Sequence, residues 1–109
     1  MSQSRRWTRI KVDFRVRLCW ELEGQLQREV VRATSLAAGG MAVLSPSALP
    51  VDTSVELEFM LPGTGREFRL SGKIRSGRGF RYGLEFLNVS DEERHILSRF
   101  CGDNLVEQV

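Results

Sequence analysis

Between Ile10 and Leu22 the chain alternates without a slip. Ile10, Val12, Phe14, Val16, Leu18, Trp20 and Leu22 hold the even positions, and Lys11, Asp13, Arg15, Arg17, Cys19 and Glu21 hold the odd ones. A period of two sends successive side chains to opposite faces, which is the signature of a strand buried on one side. A strand this long has two rows of backbone donors and acceptors to satisfy, so it commits the chain to a sheet.

The following segments supply the partners. Gly24 interrupts the alternation, and Leu26 to Thr34 resumes a β-rich run, so the pair reads as an antiparallel hairpin turning near Glu23-Gly24-Gln25. Ser35-Leu36-Ala37-Ala38-Gly39-Gly40 reads as a tight corner of small residues, where the paired glycines permit close approach by a ligand or another strand. Met41 to Leu44 forms a short strand, and Pro46 and Pro50 fix the loop after it. Val55 to Leu61 is a fourth strand, closing on Pro62-Gly63-Thr64-Gly65 into a fifth in which Phe68, Leu70, Gly72 and Ile74 share a face. Gly72 is expected to be a bulge or a close contact. Gly77-Arg78-Gly79 then turns into a sixth strand with Phe80, Tyr82, Leu84 and Phe86 inward.

The period changes at the end. Ser90 and Glu93 have capping-box spacing, the acids Asp91 to Glu93 suit a helix N-terminus, Ile96, Leu97, Phe100 and Cys101 recur at helical spacing, and Gly102 is placed to end the helix. Six antiparallel strands left open expose two edges, and closure removes them. The expected fold is all-β with a C-terminal helix: a small six-stranded antiparallel β-barrel capped by one α-helix. The expected organisation is one domain over residues 1–109, with a flexible arginine-rich arm at 1–9, the barrel at 10–88 and the helix at 90–102.

Composition bounds the function. With 109 residues, 41% of them hydrophobic, there is material for one modest core. A formal net charge of +2 does not imply bulk nucleic-acid binding, but lysine occurs only at Lys11 and Lys73, so local arginine clusters carry the positive charge. No apolar run approaches the roughly 20 residues of a membrane span, and no secretory signal opens the sequence, which predicts a cytoplasmic protein. Cys19 and Cys101 have no metal-ligand spacing and read as structural. His95 is the only histidine, no nucleophile has a base at motif spacing, and no acid or histidine cluster suggests a metal. The sequence therefore predicts a protein that is not an enzyme and carries no cofactor.

A binding function is better supported. Arg5, Arg6, Trp7 and Arg9 stand ahead of the first strand with no acid among them. Each guanidinium is a flat fork of donors that fits phosphate oxygens bidentately and stacks on purines. Trp7 either anchors this arm on the barrel or stacks on a bound base.

Together these features resemble the PilZ domain, a bacterial receptor module for the second messenger cyclic di-GMP. An R-x-x-x-R arm at Arg5 and Arg9, a small-residue motif ending in Gly39-Gly40, and the strand Tyr82-Gly83-Leu84-Glu85-Phe86 leading into a capped helix carry the resemblance over nearly the whole chain. The resemblance implies that the arm arginines grip phosphates and stack on guanine, and that a D/N-x-S-x-x-G motif reads the guanine edge. Aligned on Gly40, the second motif has Ser35 in place of Asp or Asn and Ala37 in place of Ser. A serine lacks the two acceptors of a carboxylate, and hydrogen bonds to charged groups are worth about 1.5–3 kcal/mol, so the loss weakens binding roughly tenfold to a hundredfold. The implied ligand-binding set is Arg5, Arg6, Arg9, Ser35, Ala37 and Gly40.

Three readings follow. The first is a receptor or adaptor that binds cyclic di-GMP, weakly, and acts on a partner protein. The second is a degenerate PilZ domain that has lost the nucleotide and serves as a protein-interaction module in motility, polysaccharide or chemosensory control. The third and most distant is a small barrel that binds RNA or single-stranded DNA, which strong salt dependence would reveal. Building the full motif back, as Ser35→Asp with Ala37→Ser, is expected to raise affinity at least about tenfold. Both positions are expected to be solvent-accessible, so that stability changes little.

Overall fold

A computed structural model describes residues 7–105. The elements are β1 (Ile10–Leu22), β2 (Gln25–Ala37), β3 (Gly40–Leu44), β4 (Ser54–Leu61), β5 (Arg66–Arg78), β6 (Arg81–Phe86) and α1 (Asp91–Asp103). The six strands close into a barrel in the order β1-β2-β3-β6-β5-β4, every neighbouring pair antiparallel. Closure explains the length of β1, which is hydrogen-bonded to β2 along most of its course and to β4 near Leu18. The β1–β2 turn is made by Glu23 and Gly24, both at positive φ (52° and 80°), the backbone twist that a two-residue hairpin favours.

The alternating residues fill the barrel. Val16, Leu18 and Trp20 of β1 meet Leu57 and Phe59 of β4, Phe68 and Leu70 of β5, and Leu84 and Phe86 of β6 in one buried cluster. Phe59 is its aromatic hub, with ring centroids 5.5 Å from Phe14, 5.4 Å from Phe68 and 6.5 Å from Phe86. Gly72 makes a close contact: a Cβ there would stand 2.9 Å from the Glu85 carbonyl oxygen of β6.

α1 begins with the expected capping box. Ser90 Oγ accepts from the Glu93 amide at 3.1 Å, and the Ser90 amide donates to Glu93 Oε1 at 3.0 Å. Leu97 and Cys101 are fully buried, Ile96 and Phe100 pack beside them, and the Cys101 thiol donates to the Leu36 carbonyl at 3.4 Å. Burial pushes the Cys101 thiol pKa up to about 11, because a thiolate there would lose its hydration. The helix runs one residue past Gly102 and ends at Asn104, whose side-chain amide donates to the Phe100 carbonyl at 2.8 Å. That side chain satisfies an end carbonyl, so no glycine is needed.

Three departures from the sequence reading matter for the site. β2 continues through Ser35 to Ala37, and the corner shrinks to the two-residue turn Ala38-Gly39. β5 continues through Gly77 and Arg78, so the turn lies at Gly79 (φ 63°) and Phe80. Phe80 is accordingly outside the core, 69% exposed. Register shifts between Ala33 and Ser35 in β2, and between Ile74 and Ser76 in β5, insert one extra residue in each strand. Each bulge reverses the in–out alternation beyond it, so Ser35 and Ala37 face outward, as do Ser76 and Arg78.

Candidate functional site

The two bulges and the register align small residues into a floor on the outer barrel face. Ser35 stands opposite Ala42, Ala42 opposite Gly83, and Gly83 opposite Ser76, spanning β2, β3, β6 and β5. One step along, Ala37 stands opposite Gly40 and Gly40 opposite Glu85. Gly40 is dictated by packing, and Gly83 is in close contact with its neighbour. A Cβ at Gly40 would lie 2.1 Å from the Leu84 carbonyl oxygen, and one at Gly83 would lie 2.6 Å from Ser76 Oγ. The backbone clash at Gly40 excludes ordinary side chains, whereas at Gly83 the Ser76 hydroxyl would have to turn aside, and both keep the floor low.

Long side chains surround this floor. A cleft of about 720 Å3 opens over it, lined by Trp7 and Arg9 on one side and by Arg75, Arg78 and Arg81 on the other. The volume falls within the range of small-molecule sites. Trp7 lies against the turn so closely that a Cβ at Gly39 would be 2.5 Å from the indole, and the Arg94 guanidinium of α1 sits 4.9 Å from the ring centroid. Trp7 therefore anchors the chain ahead of β1 on the barrel, with cation–π support from the helix.

The three arginines of the far wall differ in state. Arg75 is the bulge residue, and its guanidinium donates to Glu85 Oε1 at 2.6 Å and to Asp52 Oδ1 at 3.2 Å. The hydrogen bond to Glu85, with the nearby carboxylate charges, holds its pKa above the ordinary arginine value. Arg78 and Arg81 stand directly opposite each other on β5 and β6, both exposed, and neither forms an ion pair among the described residues. Like charges in that position are destabilising by roughly 0.2–1 kcal/mol, so nothing in the fold itself calls for the pair.

The residues proposed from sequence distribute unevenly. Arg5 and Arg6 lie outside the described residues, as does most of the arm expected over 1–9. Arg9, Ala37 and Gly40 all line the cleft. Ser35 shares the outward face but does not line the cleft. The expectation that Ser35 and Ala37 are solvent-accessible is incorrect: they are 5% and 6% exposed. Ser35 Oγ is buried with no hydrogen-bond partner among the described residues. A carboxylate at Ser35 would therefore enter a desolvated position and cost stability. Arg75, Arg78 and Arg81 were missed from sequence, because Arg78 reads there as part of a turn and only the β5–β6 register brings it beside Arg75 and Arg81.

Among the described residues there is no group of three or more metal-ligating side chains, and no helix is long and apolar enough to cross a membrane.

The family model of the PilZ domain matches residues 3–103. A search of individual curated proteins finds no match. Among solved structures, the chain is similar to the Bacillus subtilis inhibitor of motility MotI/DgrA, at TM-score 0.76 and 18% identity, covering 94% of this chain and 51% of that one. It thus spans about half the length of that protein. It is similar to the PilZ domain of Escherichia coli YcgR, solved with cyclic di-GMP, at TM-score 0.66 and 23% identity over 93% of this chain and 91% of that one. The PilZ domain of CeSA from a cellulose-synthesizing bacterium matches at TM-score 0.66 and 21% identity, over 87% and 95% of the two chains. At these identities the likeness establishes a shared fold.

Proposed function

Since the chain belongs to the PilZ domain family, we propose that it is a receptor or adaptor that binds cyclic di-GMP in the cleft between Trp7-Arg9 and the β5–β6 hairpin, and passes that state to a partner protein. The observation that carries this reading is the cleft itself. A floor of glycine, alanine and serine admits flat groups against the barrel, while arginines from two directions converge on the space above. Guanidiniums suit a ligand made of phosphates and purines, since they fork onto phosphate oxygens and stack on bases. Arg5, Arg6 and Arg9 act on the phosphates from the arm, and Ala37 and Gly40 form the surface against which a base lies. The reading involves no catalysis and no cofactor, and it places the protein in the cytoplasm, where such a messenger is met.

Weak binding is part of the proposal. Ala37 offers only a methyl group, and the Ser35 hydroxyl lies buried outside the cleft lining, so the corner presents no side-chain carboxylate to a guanine edge. Calorimetric titration of the purified protein with cyclic di-GMP tests the reading. Heat with a dissociation constant of roughly micromolar order supports it. Absence of heat at high micromolar ligand would remove it. The same observation at Ser35 and Ala37 favours the second reading, a module that engages a partner protein without nucleotide, and that outcome would leave it standing.

A further inference from the structure

We propose that Arg78 and Arg81 form a second anion clamp that grips a phosphodiester of the ligand from the β5–β6 side, opposite the arm. The inference rests on the cyclic di-GMP reading and deepens it: the site would recognise its ligand chiefly by phosphate, held from two walls, in place of the guanine-reading contact its corner lacks.

Charge state and position single out this pair. Three arginines line the far wall, and only Arg75 is neutralised, by Glu85 and Asp52. Arg78 and Arg81 are cross-strand neighbours on the outward face, next to a turn held by Gly79 at φ 63°. Their Cβ atoms start about 5 Å apart, close enough for two guanidiniums to share one phosphate group. The pair is held together by register against its own repulsion, with no ion-pair partner among the described residues. An anion between them removes that repulsion and adds charge-assisted hydrogen bonds. The bulge at Arg75 is what turns Arg78 outward into the same cleft as Arg9.

Titration of cyclic di-GMP into the parent, Arg78→Ala/Arg81→Ala, Arg78→Lys/Arg81→Lys and Arg15→Ala proteins at one ionic strength decides the matter. Arg15 is an exposed arginine of β1 that does not line the cleft, and it controls for general charge. The alanine pair should keep the parent's thermal midpoint and lose about tenfold or more in affinity. The lysine pair should fall between, because an ammonium keeps the charge and loses the fork. Arg15→Ala should stay within about twofold of the parent. If the parent binds and the alanine pair binds equally well, the clamp is overturned while the functional reading survives. Equal losses at Arg15 and at the pair, or a lysine pair as tight as the parent, also overturn it. A parent that gives no heat overturns the functional reading and the clamp together.

Discussion

The two sides of the cleft are built on opposite principles. On the β2–β3 side the residues are small and closely packed: Ser35 and Ala37 are almost wholly buried, Gly40 is half-buried, and all three serve the barrel. On the β5–β6 side the residues are long, charged and exposed, and Arg78 and Arg81 add repulsion that the barrel has no use for. Substitutions should therefore register first as lost stability on one side and as lost binding on the other.

The largest expected effect lies at Gly40. Gly40→Val drives a side chain into the Leu84 carbonyl, which cannot yield without opening the β3–β6 ladder, and should cost about 3 kcal/mol or more, read as a lowered midpoint in chemical denaturation. An undisturbed midpoint would mean that the corner is looser than its packing implies.

Behind the same corner, Cys101 gives a pH test. Its pKa is raised from 9.0 to about 11 in the folded protein, so its contribution is fully present below pH 9 and is lost as pH rises through about 11. Two units correspond to about 2–3 kcal/mol. Stability should hold level from neutral pH to about 9 and then fall, and Cys101→Ala should flatten the fall. An unchanged fall in that variant would assign the alkaline loss elsewhere.

Ser35→Asp comes next, and burial turns the small stability change expected from sequence into a loss. A carboxylate at a position 5% exposed should cost about 1–3 kcal/mol in thermal or urea unfolding of the free protein. Ser35→Ala, by contrast, removes a hydroxyl without a partner among the described residues and should be neutral or mildly stabilising. A carboxylate accommodated without cost would show that the corner opens readily.

The smallest effect belongs to the hairpin. Arg78→Ala alone should change stability by no more than about 0.5 kcal/mol, with any shift toward greater stability, since a repulsion is relieved. A clear loss of stability there would blur the contrast between the two walls.

Much of the fold was legible because it depends on local patterns. The span of β1 follows from unbroken alternation, the first turn from Gly24, and the helix start from Ser90 and Glu93, each a rule operating within a few residues. The bulges were not legible. Thr34 and Arg75 carry no mark of being the extra residue, since a bulge is imposed by the register of the partner strand. That one gap accounts for most of what was missed at the site. It concealed the outward turn of Ser76 and Arg78, while the glycines flanking Arg78 made the end of β5 look like a loop. The burial of Ser35 was hidden for a related reason: the small-residue run reads as a corner, yet most of it is strand. Trp7 left two roles open, and its contacts with Gly39 and Arg94 place it on the barrel.

Barrel closure has a kinetic consequence. Strands β1, β2 and β3, and likewise β4, β5 and β6, join through turns of a few residues, but β1 meets β4 at Leu18–Leu57 and β3 meets β6 at Val43–Tyr82, each pair 39 positions apart in sequence. The entropy of bringing such distant segments together must be lost before any hydrogen bond across the seam returns it. The two three-stranded meanders, β1-β2-β3 and β4-β5-β6, can form early, whereas the seams between them must wait for each other, and folding should take milliseconds to seconds rather than microseconds. The cleft straddles one of those late seams, β3 against β6. A newly made chain thus has no cleft until its barrel is closed, and a ligand that bound only the closed form would slow unfolding more than it hastened folding.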